Sequence, residues 1–285
     1  MNTIIEKTRL SEDVYKMVFQ APYIAEARKA GQFLIIQLDT DFGERIPLTI
    51  ADADEQAGTI TIIFQAVGKT TRMLGDLNQG DSIANVLGPL GTPTDIRRVG
   101  TVVCVGGGIG VAPLHPIVQA YKQAGNKVIT IMGARNKDLL ILEEEMRAHS
   151  DEVIICTDDG SYGRKALVTQ PLKELCEQGI VDEVTAIGPP IMMKFCAETT
   201  RPFGVHTMVS LNTIMVDGTG MCGGCRVTVG DETKFVCVDG PEFDAHLVDF
   251  DNMMLRQKAY KEQEQHADHA CNIGLDVRTP QGGTK

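Results

Sequence analysis

The sequence predicts a small antiparallel β-barrel, then an open parallel α/β sheet, then a short β-rich segment built around cysteines. Three observations carry this. Up to about residue 97, short runs alternate polar and apolar residues between turn residues, the period-two signature of half-buried strands. From residue 98, wholly apolar strands alternate with helical stretches, which implies parallel strands joined by right-handed crossovers. Finally, Cys222, Cys225 and Cys237 gather in a glycine-rich stretch. The expected divisions are a barrel over 1–97, an α/β domain over 98–204, a cysteine subdomain over 205–250, and a helix with a tail over 251–285.

A length of 285 residues leaves room for two domains with their own cores. The net charge is −11, without a Lys/Arg-rich run, which argues against nucleic acid and against an anionic membrane surface as partners. No apolar stretch approaches the roughly 18 residues that a membrane span needs. The first residues, Met1–Lys7, lack the basic-then-apolar order of a signal peptide, so a cytoplasmic location is expected. Eight cysteines in such a chain do not read as a disulfide scaffold. Cys104, Cys156, Cys176 and Cys196 sit in apolar or helical contexts and are expected to be small buried hydrophobes.

In the barrel, strands are expected at Asp13–Phe19, Gly31–Leu38, Pro47–Ala51 and Gly58–Val67, with a helical segment at Thr70–Leu77 and a closing strand and glycine turn over Asp81–Gly91. In the α/β half, strands are expected at Thr101–Val105, Lys127–Gly133, Glu152–Thr157 and Glu183–Ile187, the first of them apolar throughout, as in a sheet covered on both faces. Helices are expected up to Ala124, at Leu139–Met146, near Val168–Cys176 and at Ile191–Thr199. The tail reads as one helix from Asp251 to about Gln265, and His266, His269 and Cys271 beyond it as exposed tail rather than a metal site.

The first apolar strand runs straight into Gly106–Gly107–Gly108–Ile109–Gly110–Val111–Ala112–Pro113. Glycines between a strand and a helix let backbone N–H groups approach a pyrophosphate, whose charge the helix N-terminus favours. The spacing is not that of a Rossmann fingerprint, and a tight turn without a ligand is the plainer alternative. Gly188–Pro189–Pro190 repeats the strand–turn–helix device. Asp158 follows the third strand of the sheet, where a carboxylate accepts from ribose hydroxyls and repels a 2′-phosphate; Arg164 and Lys165 nearby work against that preference, and a solvated acidic turn is the alternative. Arg45, Thr49, Gly68, Thr70 and Thr71 are candidates for a second phosphate-bearing ligand, although from the residues alone they read as ordinary surface.

The cysteine loop reads D-x4-C-x2-C-x11-C from Asp217. A thioredoxin-type dithiol opens a helix, but glycines surround this pair. Zinc favours four Cys/His ligands in close pairs, but Cys237 stands alone. A plant-type [2Fe–2S] loop has C-x4-C-x2-C and a distant fourth cysteine, and here Asp217 takes the first place, where its carboxylate is an oxygen donor to iron.

In this order of parts the chain resembles the ferredoxin–NADP⁺ reductase superfamily, and within it the electron-transfer subunits that carry FAD and a [2Fe–2S] cluster. Glu44–Asp52, Asp217 and Asp251–Tyr260 resemble the small subunits of NADH-dependent reduced ferredoxin:NADP⁺ oxidoreductases more than the electron-transfer subunits of dihydroorotate dehydrogenase, which have four cysteines. The resemblance implies FAD held by Arg45, Pro47, Leu48, Thr49, Ile63, Phe64, Gln65, Gly68, Thr70 and Thr71. It implies NAD(H) held by Gly106, Gly107, Gly108, Gly110, Ala112, Pro113, Asp158, Gly188 and Pro189, and a cluster held by Asp217, Cys222, Cys225 and Cys237. It also implies a larger flavin and iron–sulfur partner subunit, ferredoxin reached through that partner, and flavin-based electron bifurcation. A nucleotide-binding module with a structural zinc loop is the alternative of another class.

Overall fold

The structure, a computed structural model, describes residues 2–39 and 43–272, of which 270–272 by backbone alone. The first seven strands are β1 (Asn2–Arg9), β2 (Val14–Gln20), β3 (Phe33–Gln37), β4 (Arg45–Asp54), β5 (Thr59–Gln65), β6 (Ser82–Ile83) and β7 (Asn85–Leu90). They form one curled antiparallel sheet in the order β6-β1-β2-β5-β4-β3-β7. The expected barrel is therefore a half-barrel. Its core is the inward alternation of these strands, with Met17 and Phe19, Leu34 and Ile36, Ile60, Ile62 and Phe64 all buried. Each such side chain contributes roughly 1.5–3 kcal/mol of burial. Two short helices, α1 (Pro22–Ala27) and α2 (Lys69–Asp76), cover it. The sequence pattern does not predict β1 and α1: β1 carries Glu6, Lys7 and Arg9 among its eight residues, and only Ile4 is fully buried.

The second sheet contains β8 (Thr101–Gly107), β9 (Lys127–Ala134), β10 (Glu152–Thr157), β11 (Arg164–Lys165), β12 (Glu183–Ile187), β13 (His206–Ser210) and, after the hairpin β14 (Arg226–Val229) and β15 (Glu232–Phe235), β16 (Glu242–Asp244). Its order is β11-β10-β9-β8-β12-β13-β16, parallel except for β16. The apolar run of β8 divides between two faces. Val102 and Cys104 pack under helix α3 (Val111–Gln123), whereas Val103 and Val105 join the core beneath α5 (Thr169–Glu177) and α6 (Pro190–Thr200). Helix α4 (Glu143–His149) starts later than expected, after Leu142 in a left-handed conformation. Cys104, Cys156, Cys176 and Cys196 are buried, and burial raises all four thiols, Cys196 to about 12, as suits inert core residues.

β13 and β16 extend this sheet although they lie beyond residue 204, because the chain around the cysteines leaves the sheet edge and returns to it. A single turn, α7 (Val236–Asp239), carries Cys237. The tail is two helices rather than one, α8 (Phe250–Gln257) and α9 (Lys261–Asn272), broken at Lys258–Tyr260. Helix α8 packs on the cluster side through Phe250 and Met253, while α9 reaches back to the half-barrel, where Asp268 pairs with Arg72 of α2 at 2.9 Å. His266 and His269 are exposed; the side chain of Cys271 and the tail after residue 272 lie outside the described residues. No helix among the described residues is long and apolar enough to cross a membrane.

Candidate functional site

Strands β8, β9 and β10 run to one side of the sheet and β12 and β13 to the other. The crevice between β8 and β12 is thus the place where strand order reverses, the position at which open α/β sheets bind nucleotides. Ile187 pairs with Gly106 across it, which brings together two glycine turns some eighty residues apart in sequence. A methyl group on Gly107 would strike the Met192 sulfur, one on Gly110 the Ile187 carbonyl, and one on Gly188 would lie 2.7 Å from Cε of Met192. None of these three has a positive φ; they are glycines because the turns interlock. Gly108 does, at +54°, with open space around it. Pro190 opens α6 directly after Gly188–Pro189, and Ala112–Pro113 lie in the first turn of α3. Asp158 is exposed at the end of β10, on the same edge of the sheet, two strands away. Its neighbour Arg164 is held by Glu174 at 2.7 Å.

On the half-barrel, Arg45, Pro47, Leu48 and Thr49 lie along β4 and Ile63, Phe64 and Gln65 along the adjacent β5. Gly68 precedes α2, and Thr70 and Thr71 occupy its first turn. The Thr71 hydroxyl accepts from the N–H groups of Val67 and Gly68 and donates to the Gly68 carbonyl. The Thr70 hydroxyl donates to Glu44. Phe64 is buried and stacks on Tyr15 with ring centroids 5.9 Å apart, so its ring belongs to the core. Ile63 packs toward α3. Arg45 reaches out of the half-barrel and donates to the Asp217 carbonyl at 3.2 Å. Strand β4 and the cysteine loop are thereby in direct contact, a link that no local pattern signals.

In that loop Gly218, Gly220 and Gly223 adopt φ of +75°, +88° and +64°, turning the backbone where other residues are strained. One Asp217 oxygen accepts from Thr219 N–H at 2.7 Å and the other from Cys222 N–H at 2.6 Å. These bonds, Thr219 first, hold its carboxyl below the usual carboxylate range. Cys225 and Cys237 are buried with sulfurs 3.3 Å apart; burial first, then Cys225, pushes the Cys237 thiol up to about 12. Cys222 is exposed. Gly224 N–H points at the Cys222 sulfur at 3.4 Å and Cys237 N–H at the Cys225 sulfur at 3.5 Å. Among the described residues no three His, Cys, Asp or Glu side chains converge as a metal-holding set: the structure pairs Cys225 with Cys237 and leaves Cys222 and Asp217 outside the pair. The donor set still fits an iron–sulfur cluster, with three thiols, one carboxylate and backbone N–H groups aimed at sulfur. From α8, Arg256 donates to the Gly224 carbonyl at 3.2 Å.

Comparison with known proteins agrees with this geometry. Residues 104–198 match the oxidoreductase NAD-binding domain, and residues 212–249 the iron–sulfur cluster binding domain of dihydroorotate dehydrogenase B. The electron transfer subunit of dihydroorotate dehydrogenase B (NAD(+)) of Fusobacterium nucleatum is 32% identical over 87% of this chain and 98% of its own. The homolog of that subunit in Thermotoga maritima is 48% identical over 93% of each chain. The chain belongs to the dihydroorotate dehydrogenase B electron-transfer subunit family. A chain of the NADH-dependent reduced ferredoxin-NADP oxidoreductase, solved for insights into flavin-based electron bifurcation, shares this family's build. It superposes on 96% of this chain and 98% of itself, with a TM-score of 0.91 and 45% identity. The family is one of oxidoreductase subunits of flavoprotein type with the ferredoxin–NADP⁺ reductase-like fold, and its cofactor set is FAD, a [2Fe–2S] cluster and NAD(H).

Proposed function

We propose that this chain is the NAD(H)-exchanging subunit of an electron-bifurcating NADH-dependent reduced ferredoxin:NADP⁺ oxidoreductase. The supporting observation is the match to that enzyme over nearly the full length of both chains, at 45% identity and a TM-score of 0.91. Gly106, Gly107, Gly108 and Gly110, with Ala112, Pro113, Gly188 and Pro189, line the crevice that would take the pyrophosphate and nicotinamide of NAD(H), and Asp158 would take a ribose. Arg45, Pro47, Leu48 and Thr49, with Ile63, Phe64, Gln65, Gly68, Thr70 and Thr71, form the strands and helix start that would hold FAD. Cys222, Cys225, Cys237 and Asp217 would hold the cluster. Bound, these groups supply an exchange of two electrons at once with NADH and of single electrons with the cluster. The chain's own part is to keep the crevice, β4 and the cysteine loop adjacent.

In this reading residues 1–97, 98–204 and 205–250 form the FAD, NAD(H) and cluster units, followed by the tail of 251–285. The partner is a larger flavin and iron–sulfur subunit that handles NADP(H) and ferredoxin, in the cytoplasm. The test is coupling: the purified heterodimer should reduce NADP⁺ only when NADH and reduced ferredoxin are both supplied. Reduction with either donor alone at the same rate would sink bifurcation. A second reading, electron transfer from a dihydroorotate dehydrogenase to NAD⁺, is favoured by the 212–249 match and predicts NADH formation when dihydroorotate is added to the complex. A colourless, zinc-bearing protein would overturn both.

A further inference from the structure

Strand β4 is not paired evenly with β5. Ile50 faces Ile62 and Asp52 faces Thr61, so Ala51 is the extra residue of a β-bulge. A bulge re-aims the backbone of the residue it frees, and a carbonyl turned into a buried seam needs a donor. That donor comes from the helix packed on the other sheet. His115 of α3, 6% exposed, places Nδ1 3.3 Å from the Ala51 carbonyl. Ala51 lies two residues beyond Thr49, and His115 two residues beyond Pro113. The contact therefore joins the end of the expected flavin strand to the start of the helix that the glycine turn feeds.

The tautomer follows from the surroundings. Nε2 of His115 is buried and has no partner among the described residues. A proton there would leave a buried N–H unsatisfied, whereas a proton on Nδ1 meets the carbonyl and leaves only a lone pair without a partner. Burial, the largest influence, lowers the pKa of the ring, against the Ala51 bond and the charge of Asp52, which raise it. With its pKa lowered and Nδ1 set against a carbonyl, the ring is assigned as the neutral Nδ1–H tautomer. Ala51 and Ile63 of the half-barrel share one apolar cluster with Val111, Ala112 and Leu114 of α3. Apolar contact alone would let the two bodies slide, since it is non-directional. The His115–Ala51 hydrogen bond is directional.

We propose that His115 is a positioning residue for hydride transfer, fixing the NAD(H) crevice against the flavin strand; this rests on the function proposed above. In the proposed reaction a hydride, one proton with two electrons, would pass from NADH to oxidised FAD, leaving NAD⁺ and a flavin reduced by two electrons. Donor and acceptor would be held by different sheets, so the rate depends on how tightly the seam fixes their separation.

The experiment uses the purified holo-heterodimer with two variants. H115L keeps an apolar side chain of similar bulk but has no donor, and H115N places an amide N–H near the position of Nδ1–H. In stopped flow at saturating NADH, H115L should reduce its flavin about tenfold more slowly, in line with the sensitivity of oriented reactions to small displacements. Its FAD content, cluster spectrum and KM for NADH should stay within about twofold of the parent, and H115N should recover most of the rate. Wild-type speed in H115L would overturn the proposal, as would equal slowing of both variants together with loss of FAD, which marks a purely structural residue. ¹⁵N NMR of histidine-labelled wild-type protein gives an independent reading that no variant's folding can obscure. Protonated Nδ1 is expected, and an Nε2–H tautomer overturns the proposal. A protein that binds no FAD would overturn the functional reading itself and this inference with it, whereas a flavin reduced equally fast in H115L overturns this inference alone.

Discussion

Two glycine-rich regions carry the candidate chemistry, and they use glycine for opposite reasons. In the crevice between β8 and β12, Gly107, Gly110 and Gly188 have ordinary backbone angles and are glycines because neighbouring chain occupies the space of a side chain. In the cysteine loop, Gly218, Gly220 and Gly223 all have positive φ and need glycine for direction. The crevice is set by packing between elements distant in sequence, while the loop is set by its own turns and by Asp217 accepting from Thr219 and Cys222. A site built by interlocked elements resists rearrangement. A site built by local turns can adjust around a multi-atom cluster held, in the proposed reading, from both sides of a hairpin.

Variants can break this comparison in order of expected effect. Cys237→Ser should remove the cluster's absorption and electron spin resonance signal almost entirely, because a buried pair loses one thiolate, while NADH still reduces the flavin. Simultaneous loss of flavin reduction would show that the two regions are not separable. Gly110→Ala drives a methyl group into the Ile187 carbonyl and should cost about 2–3 kcal/mol as overpacking against backbone that cannot yield, read as a lower Tm and a raised KM for NADH with cluster content intact.

The contact between β16 and the segment that leaves the half-barrel offers a third variant. Glu242 of β16 accepts from the Thr94 hydroxyl at 2.7 Å, and burial, followed by the charge of Glu183, raises its carboxyl to about 7. A raised carboxyl pKa favours the fold in its protonated form. That contribution is complete below the unfolded value near 4.5 and is lost as pH rises through about 7. Glu242→Gln stays neutral, so it should be more stable than the parent by about 1–3 kcal/mol at pH 8, with the gap closing toward pH 5; thermal melts at the two pH values decide it. The smallest effect is expected from Gly220→Ala. Its φ of +88° and a contact of 3.2 Å with Val238 Cγ1 predict about 1–2 kcal/mol of strain and partial loss of cluster, checked by iron content, with NADH binding unchanged.

The chain's own order of residues determined much of this. The period of its apolar residues separates an alternating half-barrel from a sheet buried on both faces, and the close cysteines fall in the stretch 212–249 that matches an iron–sulfur cluster binding domain, because both are relations among near neighbours. Glycine next to a strand end marked each turn of the crevice. Less local features were not legible. The break at Lys258–Tyr260 follows from α8 docking on the cluster side while α9 docks on α2, although each helix alone has an unbroken helical sequence. The return of β13 and β16 to the sheet edge, the reach of Arg45 to Asp217 and the bond of His115 to Ala51 join residues 23 to 172 positions apart. No local period encodes such contacts. They depend on which strands become neighbours and how the two sheets are set against each other, and burial of the shared core decides both.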